Sequence, residues 1–232
     1  MVVGISIETN GNFFMKYNVK YILPGALILL SQTNIALTAE KSNFDGFDIS
    51  VGVSNTKLES RNNVGDIDLS GNFVSSTDYN FEDDDQVLNL GVSYTQSVNT
   101  NFNISYNIDV LPGTINANYT GDGGSQTDEI SNLLRSSFQL GYLVNSELQI
   151  GLKGGLAKAD LKVIDATSTT KRNIDGKSIG IVAKKNFKEN LFLNLEYTQI
   201  SFENTPINNL SGLVNNEFDL ELFTFSVSYK FK

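Results

Sequence analysis

The chain contains segments of about ten residues in which apolar and polar side chains alternate. In the last segment, Phe223, Phe225, Val227, Tyr229 and Phe231 share one parity, while threonine, serine and lysine occupy the other. Successive side chains of a β-strand point to opposite faces, so a period of two predicts a strand with one apolar and one polar face. The recurrence of this pattern predicts an all-β protein.

Eight segments carry this alternation, and each is close to the roughly 9 to 11 residues of a transmembrane β-strand. They are residues 44–54, 87–97, 102–110, 133–144, 148–159, 177–186, 191–202 and 218–231. Short polar links follow the second, fourth and sixth segments. The first, third, fifth and seventh are followed by long polar stretches, which predict loops at 55–86, 112–132, 160–176 and 203–217. This alternation of short and long links predicts an eight-stranded antiparallel up-and-down transmembrane β-barrel.

The period alone does not say whether the apolar faces point inward or outward, because a soluble β-sandwich shows the same alternation. The polar parity is rich in Gly, Ser, Asn, Gln and Thr, which fit the narrow lumen of a small barrel. Aromatic residues gather towards strand ends, as Phe44, Phe47, Phe102 and Tyr142 do, and this favours interfacial girdles. We therefore expect the apolar side chains to face lipid.

The N-terminal part has the layout of a secretory signal peptide. A basic start after Met15 leads into an apolar run at 21–30, and small residues then approach Ala39. The run is too short to cross a bilayer as a helix. We expect translation from Met15 and cleavage after Ala39, with Ala36 as the second candidate. The predicted division is an N-terminal extension plus signal peptide at 1–39 and a barrel at 40–232.

Composition removes several kinds of chemistry. The chain has no Cys, His or Trp, which excludes disulfides, thiolate metal sites and histidine-based catalysis. Its net charge of −9 and its lack of clustered Lys and Arg argue against nucleic acid as a partner. We expect no cofactor.

Three stretches carry a resemblance to a known family. FDGFDISVGV at 44–53, LGYLVNSELQIGLKGGLAKADLKV at 140–163 and ENLFLNLEYT at 189–198 resemble strands of the outer-membrane β-barrel domain family, whose members include small OmpA-type barrels and porin-like surface proteins. The final strand, with Tyr229 two residues before Phe231, resembles the closing strand of that family. The resemblance implies a bacterial outer-membrane location and contact with outer-membrane lipids and lipopolysaccharide. It also implies an assembly signal read by the barrel assembly machinery, comprising Phe225, Val227, Tyr229 and Phe231.

Charged residues on the polar parity would lie in the lumen, where an unpaired charge is costly. Lys153, Lys184 and Glu196 occur on three consecutive predicted strands, and we expect a buried Lys–Glu–Lys cluster. Asp48 and Lys230 lie near one end of the first and last strands, which adjoin if the barrel closes. These five residues form the predicted charge network that braces the lumen. The alternative is that each charge contacts trapped water.

Two further motifs are weak candidates for ligand binding. The acidic run at 82–85 resembles a hard-cation site, but consecutive acids cannot all face one ion, so we expect a solvated loop. The glycine-rich tip at 121–124 lacks the lysine and helix of a phosphate-binding loop. We therefore expect no metal site.

The favoured function is a non-enzymatic, monomeric surface protein whose loops are available for adhesion or envelope interaction. The resemblance implies no enzyme, because catalytic outer-membrane barrels employ a histidine and this chain has none. A small passive pore is the second hypothesis, and a secreted soluble β-barrel binder is the third. The sequence does not identify what the loops bind.

Overall fold

The computed structural model describes residues 42–67, 73–121, 124–165, 168–203, 205–209 and 212–231. The predicted signal peptide and its cleavage sites lie outside the described residues. No helix in these ranges is long and apolar enough to cross a membrane. The regular elements are the strands β1 (Gly46–Ile67), β2 (Phe73–Ser97), β3 (Phe102–Gly121), β4 (Gly124–Leu143), β5 (Leu148–Asp165), β6 (Thr169–Lys188), β7 (Leu191–Phe202), β8 (Thr205–Asn209) and β9 (Gly212–Lys230).

The strands form one closed antiparallel barrel. Each strand from β1 to β6 pairs with the next, and β9 pairs with both β7 and β1. The short strand β8 pairs with β9 beyond the end of β7, so it extends the β7–β9 hairpin after a break at Glu203. The barrel wall therefore consists of eight strands, with β8 as a continuation of the wall beyond β7, and this confirms the predicted fold class.

The two ends of the barrel differ in their connections. The turns at 98–101, 144–147 and 189–190 lie at one end, here called the proximal end, where β1 also begins and β9 finishes. The other, distal end carries the long hairpins. Most of each predicted long loop is strand: β1 and β2 pair continuously from Gly46↔Thr95 to Asp66↔Ser75. The prediction of four long loops was therefore wrong for most of their length.

Outward-facing apolar side chains form a belt around the proximal half. Their exposed fractions range from 37 to 69%, because no protein packs over them. The belt comprises Phe47, Ile49, Val51, Val53, Leu88, Leu90, Val92, Ile104, Phe138, Leu140, Tyr142, Ile150, Leu152, Leu156, Ile179, Ile181, Leu195, Tyr197, Phe223, Phe225, Val227 and Tyr229. This confirms the expectation that the apolar faces point away from the lumen.

The polarity of the two faces reverses in the distal half. On β9 the inward series runs from Ser228, Ser226 and Thr224 to Leu222 and Leu220, all of them buried. The distal interior is consequently an apolar core. Its members are Leu58, Phe81, Val87, Leu111, Ile115, Ala117, Ile130, Leu133, Ala157, Ala159, Leu161, Val163, Ile174, Ile200, Phe202, Phe218, Leu220 and Leu222.

Above the belt the barrel opens along two seams. The β2–β3 ladder ends at Leu90↔Val110, although both strands continue, and the β6–β7 ladder ends at Gly176↔Phe202, although β6 extends to Thr169. Register shifts occur at the same height, between Leu111 and Thr114 on β3 and between Ser131 and Leu134 on β4. Such bulges bend a strand and increase its twist. The bulges therefore lie where the barrel wall changes into two sheets that pack around the distal core.

Candidate functional site

Four charged side chains meet in the middle of the lumen. Asp109 of β3, Arg135 of β4, Lys153 of β5 and Glu196 of β7 form an alternating ring of cations and anions, here called the quartet. Arg135 donates to Glu196 Oε1 at 2.7 Å and to Asp109 Oδ2 at 3.1 Å. Lys153 Nζ lies 2.9 Å from Asp109 Oδ2 and 2.8 Å from Glu196 Oε2. Each charge thus has two partners of opposite sign.

The quartet is stable only as a complete set. All four residues are buried, and Thr198 adds a hydrogen bond to Glu196 Oε1 at 2.7 Å. Removing one partner from a buried ion pair typically costs about 3–5 kcal/mol, because the remaining charge is left unpaired in a medium of low dielectric constant. With two cations and two anions the quartet carries no net charge, so the lumen can bury it.

A second ion pair lies between the quartet and the proximal mouth. Lys184 Nζ contacts Asp48 Oδ2 at 2.7 Å and sits 4.9 Å from the centre of the Phe192 ring. Lys230 is the register partner of Asp48, as barrel closure requires, and its ammonium donates to the backbone carbonyl of Asn43. The structure therefore pairs Asp48 with Lys184 from across the lumen.

The structure assembles the predicted charges differently from the sequence prediction. Lys153 and Glu196 do meet, but Lys184 pairs with Asp48, and Glu196 takes Arg135 as its second cation. The alternation of side chains along β3 and β4 could have revealed the two quartet residues that the sequence analysis missed. Asp109 and Arg135 share the inward parity of their strands with small polar residues, yet only the register across β3, β4, β5 and β7 shows that they meet.

Residues 42–45, just before β1, form a cap at the proximal mouth. Phe44 is 1% exposed and packs against Phe192 with 5.5 Å between ring centres. Asn43 donates to the Ser146 carbonyl at 3.1 Å, and Ser97 Oγ donates to Asp45 at 2.7 Å. The cap is thus tied to the turn at 144–147 and to the end of β2. The assignment of Phe44 to an interfacial girdle was wrong, because its ring points into the mouth.

A small polar cavity borders both the quartet and the Asp48–Lys184 pair. Its volume is about 50 Å³, and hydroxyl and amide side chains line most of it. The buried amide nitrogens of Asn89 and Asn107 reach this cavity without a protein partner. Because a buried water needs a polar site with several partners, the space and its donors suit ordered water.

Glycine makes room for polar contacts in the lumen. Gln149 donates to Asn103 Oδ1 at 2.8 Å across the inside of β4. A Cβ added at Gly141, between them, would lie 1.9 Å from Gln149 Nε2 and 2.2 Å from Asn103 Oδ1. The small residues on the polar parity therefore leave space for hydrogen bonds between strands that are not neighbours.

At the β2–β3 seam, where the backbone ladder has ended, side-chain carboxylates of the acidic run on β2 make the contacts to β3. Asp85 accepts from the Asn116 backbone N–H at 2.7 Å and from its amide group at 3.2 Å, and Asp83 accepts from Asn118 at 2.8 Å. Glu82 pairs with Lys57 of β1 at 2.7 Å. These carboxylates hold β2 against its neighbours. The prediction of a solvated loop at 82–85 was therefore wrong.

One carboxyl group lies inside the distal core. Asp128 is fully buried and accepts from Ser60 Oγ at 2.6 Å and from Gln126 at 2.8 Å. Burial raises the pKa of the Asp128 carboxyl, and the two hydrogen bonds oppose this only in part. Ser60 belongs to β1 and Asp128 to β4, so this hydrogen bond connects the two sheets through the core.

The residues of the predicted assembly signal form one outward row on β9. Phe225, Val227, Tyr229 and Phe231 are each 37 to 49% exposed. Phe231 donates its backbone N–H to the Phe47 carbonyl at 2.8 Å, and its ring lies 5.3 Å from that of Tyr229. The row therefore borders the closing β1–β9 seam, and its role in assembly stays a prediction.

Known proteins resemble this architecture. The sequence model of the family described as outer membrane protein beta-barrel domain matches residues 25–231. No curated protein matches the chain. Among solved structures, it is similar to Ail of Yersinia pestis, with 10% identity, a TM-score of 0.45 and coverage of 81% of this chain and 100% of Ail.

Two further solved structures show a comparable likeness. OprG of Pseudomonas aeruginosa has 12% identity, a TM-score of 0.45 and coverage of 82% of this chain and 100% of OprG. The outer membrane protease OmpT of Escherichia coli has 10% identity, a TM-score of 0.48 and coverage of 84% and 100%. With the family model spanning almost the whole barrel, the chain belongs to the outer membrane protein beta-barrel domain family and is a bacterial outer membrane protein.

Proposed function

We propose that the chain is a non-enzymatic, non-conducting surface protein, anchored in the outer membrane by the belt and presenting its distal half outside the cell. The observation that carries this proposal is a lumen blocked at three levels. Phe44 and Phe192 fill the proximal mouth, the quartet crosses the middle and the apolar core fills the distal end. Arg135 is 2% exposed and Leu220 is 0% exposed, which leaves no path for a hydrated ion.

The length of the strands supports a role in display. A strand crosses the membrane in roughly 9 to 11 residues, whereas β1 has 22 residues and β2 has 25. The extra length is paired on both sides of β1, which contacts β2 and β9 up to Val64↔Val214. In this family the short turns face the periplasm and the long connections face outward. The distal half is therefore suited to present a rigid polar surface to molecules beyond the membrane.

The buried charges also support a non-enzymatic role. Lys153 Nζ is bound by Asp109 and Glu196, and Lys184 Nζ is bound by Asp48, so both ammonium groups are engaged inside the lumen. Glu196 is likewise bound by Arg135, Lys153 and Thr198, and the cavity beside it, at about 50 Å³, is far smaller than the roughly 300–1,000 Å³ of a typical ligand pocket.

A passive pore is the second candidate, and the polar cavity favours it. Hydroxyl and amide groups around this cavity would stabilise a hydrated ion if it were connected to both ends. Connection requires displacement of the cap, separation of the quartet and opening of the distal core. The pore hypothesis therefore needs three separate rearrangements.

Single-channel recording tests the distinction. Purified protein is folded into proteoliposomes, and its folding is checked by heat-dependent gel mobility. The same proteoliposomes are then fused with planar lipid bilayers. We expect no discrete conductance steps from inserted wild-type protein. The variant Phe44→Ala should also remain silent, because the quartet and the distal core still block the lumen. Regular steps from the wild type would reject the non-conducting assignment and favour the pore.

Surface display is tested by shortening one hairpin. Residues 61–80 of the β1–β2 hairpin are replaced by an Asn-Gly turn, which keeps the Ser60↔Phe81 register pair and leaves the belt unchanged. Cells producing equal amounts of folded wild-type or shortened protein are compared for attachment to host-cell monolayers and to immobilised lipopolysaccharide. We expect the shortened protein to attach less. Equal attachment of wild-type, shortened and empty-vector cells would contradict the display role.

A further inference from the structure

The cap spans the proximal mouth and is bound at three places on its rim. Ser97 Oγ, at the end of β2, donates to Asp45 Oδ1 at 2.7 Å. Asn43 donates to the Ser146 carbonyl at 3.1 Å, and the ammonium group of Lys230 on β9 donates to the Asn43 carbonyl. The cap thus joins parts of the rim that the backbone ladders connect only around the circumference of the barrel.

Phe44 fills the centre of the mouth. Its side chain is buried, and its ring packs against that of Phe192 on β7. The ammonium groups of Lys184 and Lys230 lie 4.9 and 5.7 Å from the centre of the Phe192 ring, within the range of a cation–π contact. Since Lys184 also pairs with Asp48, loss of the Phe44 ring exposes this ion pair to water from the proximal side.

Gly46 turns the chain from the cap into β1. Its φ of 126° lies in a region that residues with a side chain rarely adopt. Space does not explain the glycine, because a Cβ added here would lie 3.5 Å from its nearest neighbour, the carbonyl oxygen of Phe231. The direction of the backbone therefore requires a glycine at this position, and a residue with a side chain would disfavour the folded-back path of the cap.

The contacts of the cap depend on a closed barrel. Its hydrogen bonds join residues that are 52 positions apart for Asp45 and Ser97, 103 for Asn43 and Ser146, and 187 for Asn43 and Lys230. Lys230 approaches the cap only when β9 has paired with β1. Bringing such distant residues together costs chain entropy, which barrel closure has already overcome when the cap docks. Interactions that form after the rate-limiting step of folding slow unfolding and leave the folding rate unchanged.

We propose that the cap is a latch on the closed barrel, which docks last, slows reopening of the β1–β9 seam and keeps water out of the proximal lumen. The cap precedes β1, so it can leave the mouth without breaking any strand pairing. The quartet and the distal core consist of strand residues and have no such freedom. The latch goes beyond the proposed surface role, because it gives the cap a part in kinetic stability whether or not the barrel conducts.

Thiol labelling in detergent micelles tests the latch, because the chain has no cysteine and an engineered thiol reports alone. Ser228 is buried and is the register partner of Phe192, so Ser228→Cys places a thiol beside the Phe44 ring. Since truncation of a buried phenylalanine removes substantial packing energy, adding Phe44→Ala should speed labelling by a water-soluble reagent at least about tenfold. Leu222→Cys in the distal core reports global unfolding, and its labelling should stay slow in both backgrounds.

Folding kinetics provide the second test. Phe44→Ala and Ser97→Ala should each unfold in urea faster than the wild type, and should refold into phospholipid vesicles at the wild-type rate. Gly46→Ala keeps every side chain of the cap, so the same result from this variant assigns the effect to the path of the cap. Phe47→Ala is the matched control, because it removes a phenylalanine from the outer face at the same end and should not speed labelling of Ser228→Cys.

Three results would overturn the latch. Equal acceleration of labelling at Ser228→Cys and Leu222→Cys would show that Phe44→Ala loosens the whole barrel. Slower refolding of the cap variants with unchanged unfolding would show that the cap docks before closure. Unchanged labelling of Ser228→Cys with both Phe44→Ala and Gly46→Ala would show that the cap does not control access, and heat-dependent gel mobility confirms that each compared variant is folded.

Discussion

The proximal and distal halves of this barrel are built from the same strands with opposite polarity. Along β9, the outer face changes from Phe225 and Phe223 to Glu221, while the inner face changes from Thr224 to Leu222. The backbone ladder to β1 continues across this change without a shift. Surroundings, and not strand pairing, therefore decide which face is apolar. Lipid surrounds the proximal half and water surrounds the distal half.

The two interiors are also stabilised in different ways. In the proximal half, paired charges and hydrogen bonds fill the lumen, and each polar group depends on a specific partner. In the distal half, close packing of aliphatic and aromatic side chains excludes water, and the contribution scales with buried area. Substitutions that act on only one of these mechanisms should separate the two halves experimentally.

The largest effect is expected from the quartet. Arg135→Ala leaves Asp109 and Glu196 with a single cation, and should lower the free energy of unfolding by about 3–5 kcal/mol. Urea unfolding of protein refolded into phospholipid vesicles measures this change. Lys57→Ala, which breaks an exposed ion pair in the distal half, should lower the free energy of unfolding far less than Arg135→Ala does, because water solvates both charges. A loss for Arg135→Ala no larger than that for Lys57→Ala would contradict the account of a charge-braced lumen.

An intermediate effect should distinguish packing against protein from packing against lipid. Leu220→Ala in the distal core removes buried surface and leaves a cavity, so it should cost about 2–5 kcal/mol. Leu195→Ala in the belt loses only the transfer contribution, about 1–2 kcal/mol, because lipid chains fill the space. Urea unfolding in the same vesicles compares them. Equal losses would mean that the distal interior is not tightly packed.

The smallest effect concerns the buried carboxyl of the distal core. Because burial raises the Asp128 pKa above its unfolded value, the folded state binds the proton more tightly. Its stabilising contribution is complete below the unfolded pKa and is lost as pH rises through the folded pKa. Asp128→Asn should therefore be more stable than the wild type at pH 7 by about 1 kcal/mol.

Thermal unfolding between pH 4 and pH 7 measures this difference, and the advantage of Asp128→Asn should shrink towards pH 4. Thr127→Ala on the adjacent position of β4 is the control, and its difference from the wild type should not change with pH. An advantage of Asp128→Asn that is constant with pH would indicate that the carboxyl stays neutral throughout. The connection between Ser60 and Asp128 would then stabilise both sheets at neutral pH.

The prediction from sequence succeeded where a single strand carried the information. A period of two in residues 87–97 or 191–202 depends only on the alternating directions of neighbouring side chains, so it reveals each strand locally. The distal parts of the strands were predicted as loops because the apolar and polar faces exchange there. Leu58, Ile115 and Leu161 alternate with polar residues as regularly as the belt does, but runs such as the acids at 82–85 made these stretches resemble loops.

The sequence by itself determined the eight membrane-crossing segments, the closed antiparallel order and the outward direction of the apolar side chains. Only the tertiary structure decided which charges meet. Lys184 pairs with Asp48 across 136 positions, and Arg135 completes a ring with Glu196 across 61. Alternation along a strand fixes the face on which a side chain lies. Whether two luminal side chains lie at the same level along the barrel axis depends on the register of all the strand pairings that separate them. That register is a property of the closed barrel as a whole.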